Sequence, residues 1–309
     1  MVCRYHGPMN DALQELRALA AGAQNRATAT GIPRVAMVQG AIPQHELAGV
    51  YDPMINLILQ GGKSMTVGDR TLHYDPATYF VMSVDLPAVG AVRPSAEGEP
   101  YLAVSLTLDP AIVATLLADL PRPSAENRGV AAFSVAAVTP ELMDAWVRML
   151  RLMKRPQDIP ALAPAYEREI LYRVLQGPLG WMLSDIATPD SALSRVGHAI
   201  EWIRRDFAQP LRIEALAERA AMSSSAFHRH FKAVTALSPL QYQKRLRLLQ
   251  ARKLLMGGAG NVTTIALDVG YESPTQFSRE YARAFGLPPT QDAARIVAEA
   301  RRHGVPSAP

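Results

Sequence analysis

Phe227-His228-Arg229-His230-Phe231 and Phe277-Ser278-Arg279-Glu280-Tyr281 stand fifty residues apart and read as two copies of one phrase. In both, aromatic residues four apart flank an arginine. Ser223 and Ser273, Leu237 and Leu287, and Pro239 and Pro289 match at the same spacing. Leu216-Ala217 matches Ile265-Ala266 at a spacing of 49, so one residue is inserted between. A repeat of this length is one supersecondary unit used twice.

Each copy has the grammar of helix-turn-helix. In the first, Ile213 to Ala220 is predicted as a short helix with Ile213, Leu216 and Ala217 inward, and Ala221-Met222-Ser223 makes the turn. Serine is a good N-cap for the helix that follows, Ser224 to about Val234. That helix buries Phe227 and Phe231 and turns Ser225, Arg229 and Lys232 outward together. In the second copy, Val262 to Val269 is the first helix and Gly270-Tyr271-Glu272-Ser273 the turn. Pro274 to Phe285 is the second helix, burying Phe277 and Tyr281 and presenting Thr275 and Arg279. A long helix, Pro239 to Met256, joins the copies and carries Lys244, Arg245, Arg247, Arg252 and Lys253. It would fix two recognition helices for major-groove segments about 34 Å apart. An exposed helical arginine alone is a solvated charge, but two at one register of two repeated units point to base reading.

Charge is distributed to match. Residues 1–190 hold 15 Lys+Arg against 19 Asp+Glu, and residues 191–309 hold 17 against 9. A basic third attached to a mildly acidic body is the footprint of a nucleic-acid-binding module.

Upstream, an Ala-rich helix is predicted from Asp11 to Ala21. From Arg34 to about Leu108 short β-prone runs alternate with turns: Met54–Gln60, Lys63–Val67, Thr71–Tyr74, Thr78–Val84 and Tyr101–Leu108. This texture predicts a small antiparallel barrel or sandwich, with Gly61-Gly62 read as a hairpin turn. Helices are expected from about Asp109. Leu142, Trp146, Met149 and Met153 form one stripe, and a second helix runs from about Pro164 to Leu183, broken at Gly177-Pro178. A surface on which two chains pair would suit this helix pair. Ala187-Thr188-Pro189-Asp190 reads as a linker.

The block Ser223–Lys232, the phrase Ser238-Pro239-Leu240-Gln241-Tyr242 and Gly270-Tyr271-Glu272-Ser273 through Pro289 resemble the AraC/XylS regulators, over roughly residues 193–297. Tyr51-Asp52-Pro53, Leu59-Gln60-Gly61, Gly68-Asp69-Arg70, Tyr74-Asp75-Pro76, Ser83-Val84-Asp85-Leu86-Pro87 and Ile170-Leu171-Tyr172-Arg173 resemble the N-terminal domain of one subgroup. The resemblance implies an α+β chain with a cupin-like β-barrel (about 34–108), flanking helices (about 109–185), a linker (187–192) and an all-α double helix-turn-helix domain (193–300). It implies a cytoplasmic, dimeric, sequence-specific regulator with double-stranded DNA as partner, a small-molecule effector held by residues 1–186, and RNA polymerase as a further partner if it activates. Ser225, His228 and Arg229, then Thr275, Gln276 and Arg279, match base-reading positions. Ser223, Lys232, Lys244 and Ser273 are expected at the DNA backbone. The arginine fork suits guanine O6 and N7, whereas His228 suits a phosphate equally. Two positions depart from the pattern: Ala236 stands where a helix-ending glycine is usual, and Asp292 replaces a possible phosphate contact.

The remaining chemistry is sparse. One cysteine, Cys3, excludes an internal disulfide and any multi-cysteine metal site; it is either a redox-sensitive thiol or a plain one. His45 and His73 lack the His-x-His pair of a metal-holding cupin, and His228 and His230 point to different faces of a helix. No cofactor, metal or catalytic constellation is expected, nor a membrane span. Tyr51, His73 and Tyr79 are the candidate effector contacts. Two other readings stay open: a cupin-type enzyme with an attached DNA-binding module, and a DNA binder without a ligand.

Overall fold

Helix α1 (Pro8–Leu19) precedes nine strands in the computed structural model, which describes residues 8–40, 48–76, 78–120, 129–258 and 260–302. Cys3 and His45 lie outside the described residues. The strands are β1 (Thr28–Ala29), β2 (Val35–Gly40), β3 (Ala48–Tyr51), β4 (Met54–Gln60), β5 (Gly62–Val67), β6 (Arg70–Tyr74), β7 (Thr78–Met82), β8 (Leu86–Arg93) and β9 (Tyr101–Thr107). After α2 (Pro110–Ala118) the chain returns with β10 (Phe133–Ala137), then continues through α3 (Pro140–Arg151), α4 (Ile159–Leu175) and α5 (Gly180–Ala187).

The strands form two antiparallel sheets, β1-β2-β9-β4-β7-β10 and β3-β8-β5-β6, in place of one closed barrel. The reason lies at Gly61. Its φ of +73° turns the chain out of the first sheet into the second, and a Cβ there would meet the Arg93 carbonyl oxygen at 2.4 Å. Gly61-Gly62 is therefore a corner between sheets, since β4 pairs with β7 and β9 while β5 pairs with β6 and β8. Helices were expected throughout from Asp109, yet β10 pairs in register with β7, Phe133 opposite Met82.

Period-two alternation sends side chains of the larger sheet to two different cores. Ile55, Leu57, Tyr79, Val81, Leu102 and Val104 pack on Trp146, Leu171 and Met182 from the helices. Ile58, Phe80, Met82, Tyr101 and Ala103 face the smaller sheet instead. A sheet covered on both faces explains the near-continuous apolar run of β4. The stripe Leu142, Trp146 and Met149 is buried as its spacing predicts, and the expected break falls between α4 and α5. Arg34 ties the start of β2 to α4, its Nε donating to Glu167 Oε1 at 2.9 Å.

The last third is helical: α6 (Ala192–Arg205), α7 (Ile213–Arg219), α8 (Ser224–Thr235), α9 (Pro239–Met256), α10 (Val262–Asp268), α11 (Pro274–Phe285) and α12 (Pro289–Arg302). Helix α9 begins where its sequence dictates. Ser238 and Gln241 exchange side-chain and backbone hydrogen bonds in a full capping box, and Pro239 supplies the first helical residue. Residues of α6 to α9, including Leu193, Val196, Phe227, Phe231 and Tyr242, belong to the same buried cluster as the inter-sheet core. Polar bonds cross there too. Tyr242 donates its hydroxyl to the Asp85 carbonyl at 2.7 Å, and the Ala132 amide donates to the Val234 carbonyl at 2.8 Å. Arg204 pairs with Asp85. Burial raises the Asp85 carboxyl to about 6; Arg204 pulls it down and a hydrogen bond with Asp52 pushes it up. Helices α10 and α11 have a separate core of Leu248, Ala251, Ile265, Val269, Phe277 and Tyr281.

Asp292 has a structural role. It is fully buried and accepts from Arg252 (2.9 Å), the Tyr281 hydroxyl (2.9 Å) and Arg295 (2.7 Å), joining α9, α11 and α12. Burial raises its carboxyl, but the hydrogen bonds from Arg295 and Arg252 prevail and hold it below the usual carboxylate range. Its contribution is thus present at neutral pH and lost only as pH falls through that lowered value. Among the described residues no helix is long and apolar enough to cross a membrane.

Asp292→Ala removes the carboxylate that three donors share. The unfolding free energy from urea titration should fall by about 3–5 kcal/mol. A loss under about 1 kcal/mol would show that the network contributes little to stability.

Candidate nucleic-acid interface

The two repeated units superimpose in their chemistry. Ser223 caps α8 by accepting from the Ala226 amide at 3.3 Å, and Ser273 caps α11 by accepting from Gln276 at 3.3 Å. Phe227 and Phe231 are fully buried with ring centroids 5.5 Å apart and planes tilted 59°; Phe277 and Tyr281 repeat that distance and tilt. With that edge inward, the opposite edge of each helix must face solvent. Ser225, His228, Arg229 and Lys232 are exposed on α8, and Thr275, Gln276 and Arg279 on α11. Neither Arg229 nor Arg279 has a carboxylate partner among the described residues.

Two polar side chains near α11 are held in place. Glu280 accepts from Lys244 Nζ at 2.9 Å, from the Tyr271 hydroxyl at 2.9 Å and from Gln276 Nε2 at 3.3 Å. Burial raises the Glu280 carboxyl, and these three donors outweigh it and hold it low. Gln276 and Lys244 are thereby held at one edge of α11.

The link between the units is Arg247, an α9 residue that sequence reasoning placed only among the basic ones. Its guanidinium donates to the carbonyls of Phe207 (2.8 Å), Ala208 (3.1 Å), Gln209 (3.0 Å) and Gly270 (2.7 Å). Gln243 adds bonds to Phe207 and Gln209 at 2.9 and 2.6 Å. Phe207–Gln209 lead into the first unit, and Gly270 is the turn of the second. A Cβ on Gly270 would stand 2.1 Å from the Ala208 oxygen, so the close approach needs glycine. Burial lowers the Arg247 pKa while nearby Tyr271 and Glu272 raise it.

The first unit touches the N-terminal half beside its exposed face. The β5–β6 turn brings Asp69 and Arg70 alongside His228, Arg229 and Lys232 around a depression of about 450 Å³. Gly68 abuts the α8 C-terminus, where a Cβ would meet the Ala236 oxygen at 2.3 Å.

The three candidate effector residues are not brought together. His73 neighbours Tyr74 on a strand, so it points to the opposite side and is exposed. Tyr79 faces the helices, its hydroxyl near Gly177. Tyr51 alone borders the inter-sheet core, where its ring lies 5.1 Å from Lys63 Nζ. Lys63, Tyr74 and Tyr101, all buried there, were missed. Strand alternation carries the signal for Lys63, since it shares a face of the 63–67 run with the apolar Met65 and Val67. No group of three or more His, Cys, Asp or Glu stands as metal ligands would among the described residues.

Comparison with known proteins agrees with this architecture. A family model described as AraC-type transcriptional regulator N-terminus matches residues 31–182, and a helix-turn-helix domain model matches 216–295. The HTH-type transcriptional activator RhaS of Escherichia fergusonii is 34% identical over 145 residues, which is 47% of this chain and 51% of that protein. RhaS of Salmonella schwarzengrund is 34% identical over 146 residues, 46% of this chain and 51% of that protein. The chain thus spans about half the length of the curated relatives it matches. ToxT from Vibrio cholerae shares the fold, with a TM-score of 0.52 at 10% identity over 84% of this chain and 98% of that one.

Ala236 ends α8 at φ 57°, left-handed, where α11 ends on Gly286 at φ 80°. Ala236→Gly should raise stability by about 0.5–1 kcal/mol in thermal or urea unfolding. A destabilised variant would mean that the Ala236 methyl packing against Gly68 outweighs the backbone strain.

Proposed function

Because the chain belongs to the AraC-type transcriptional regulators, we propose that it is a one-component regulator whose residues 193–300 bind an operator and whose residues 1–186 bind a small-molecule effector. Residues 187–192 connect the two halves along the chain. α8 and α11 enter successive major-groove segments on one face of DNA, about 34 Å apart. Ser225, His228 and Arg229 read one segment, and Thr275, Gln276 and Arg279 read the other. Arg229 and Arg279 supply the bidentate fork for guanine. Ser223, Lys232, Lys244 and Ser273 hold phosphates, Lys244 exchanging Glu280 for the DNA backbone. The protein acts as a homodimer in the cytoplasm, meets RNA polymerase where it activates, and performs no catalysis.

The observation that carries this reading is the repeated register: two exposed arginines with no carboxylate partner among the described residues, each opposite an aromatic pair of the same geometry. A merely basic surface gives no reason for that match. Phosphate contacts set affinity, whereas these positions set sequence preference.

Selection of genomic fragments from the source organism on the purified protein, beside an Arg229→Ala/Arg279→Ala variant, tests the reading. Wild type should enrich a few promoter fragments and the double variant none. Each single substitution should cost about 1–3 kcal/mol of operator binding and relax preference at one base position. Salt-sensitive binding without enrichment, equal in both proteins, would reduce the module to a phosphate-gripping surface.

A further inference from the structure

Between the two sheets lies a basic and phenolic cluster that neither the packing nor the DNA-binding units require. Lys63 is 9% exposed, Tyr74 2% and Tyr101 1%. Lys63 and Tyr74 stand opposite each other across β5 and β6, and Lys63 shares its face of β5 with the core residues Met65 and Val67. Tyr101 enters from the other sheet beside Gly61, and the ring of Tyr51 flanks the ammonium at 5.1 Å. The hydroxyls of Tyr74 and Tyr101 have no hydrogen-bond partner among the described residues. Burial alone acts on the Lys63 ammonium, lowering it to about 8, and it has no carboxylate partner among the described residues.

Each of these features is unfavourable by itself. A buried charge with only an aromatic face beside it, and a buried hydroxyl without a partner, both lose more hydration than their contacts return. Methionine and phenylalanine of similar shape would fill the same space at lower cost, so packing does not explain the polar atoms. Two unpartnered phenols beside a largely buried ammonium are what an anionic ligand would complete.

We propose that Lys63, Tyr74 and Tyr101 form a binding site for a small organic carboxylate, with the Tyr51 ring as one wall. The carboxylate oxygens accept from the ammonium and the two phenols, and an apolar body lies against Ile58, Phe80 and Met82. This rests on the reading of the N-terminal half as effector-binding and gives that effector its chemical class. The site adjoins the junction with the first helix-turn-helix unit. Tyr51 pairs with Leu86, and the neighbouring Asp52 and Asp85 both meet Arg204 of α6. A ligand that shifts Tyr51 acts one residue from that junction.

Thermal unfolding of the full-length chain with phenylacetate and hexanoate, each beside its neutral amide, provides the test. Lys63→Met, Tyr74→Phe and Tyr101→Phe are carried through the same series. The expected result is a dose-dependent rise in Tm with at least one acid and none with its amide. Lys63→Met should weaken that acid by about tenfold or more, and each phenylalanine variant by a smaller factor. Without ligand, all three variants should melt at or above the wild-type temperature. If Lys63→Met does not fold, the two phenylalanine variants decide. Acids that stabilise wild type no better than amides, or stabilisation that survives Lys63→Met or both phenylalanine changes, would overturn the site. Promoter binding by wild type is measured in parallel without acid. Its persistence beside a failed acid series rejects the site alone, and its absence rejects the regulator reading.

Discussion

The guanidinium of Arg247 is the point on which the DNA-binding half depends. One side chain, fixed on the middle of a long helix, satisfies four carbonyl oxygens from two separate segments. Carbonyls at such turns have no helical partner of their own, and water would otherwise have to supply one. Arginine suits the task because its planar fork addresses several acceptors at once, whereas a lysine ammonium is a point charge. The spacing of the two recognition helices is then set by α9 and this clamp together. In the proposed reading two helices address the DNA at once and tolerate little freedom between them, so a rigid spacer matters as much as the side chains they present.

The two units differ in how they are supported. The second has its own aromatic core and a buried Asp292 network around Arg252 and Tyr281. The first has no core to itself. Its Phe227 and Phe231 continue into the inter-sheet cluster of the N-terminal half, and its last turn is bonded through Val234 to Ala132. A change in how the sheets pack is therefore felt by one recognition helix directly and by the other only through α9.

Much of the helical half was legible because local chemistry fixes it. Pro239–Met256 and Pro274–Phe285 fall at the expected limits, each opened by a capping serine and a proline at the first helical position. The fifty-residue repeat gave the pairing of helices, and Ala236 was visible as a strained cap. The sheets were harder. The runs at 54–60, 63–67 and 71–74 were found, but which strands pair is a long-range matter. Gly61 looks the same whether it closes a hairpin or turns a corner between sheets. Strand β10 depends on β7, some fifty residues earlier, and its Phe133–Ala137 run carries little signal alone. The interior site suffered from the same ignorance. Alternation puts His73 and Tyr74 on opposite faces, but without the pairing of strands it does not say which face of the 63–67 and 71–74 runs is the inner one. Asp292 read as a lost phosphate contact because its burial depends on how α12 packs on α9, where Arg252 lies forty residues earlier.

The unequal support of the twin units bears on how the molecule can be divided. A cut between Ala187 and Ala192 would part Val84, Leu86 and Ala88 from Leu193, Val196 and Tyr242, with which they share one buried cluster. The freed C-terminal fragment would keep one unit whole and lay bare the apolar flank of the other. Repetition in the sequence is thus not modularity in the solid: of two phrases with one pattern, one packs on a core of its own and the other on a core shared with the N-terminal half.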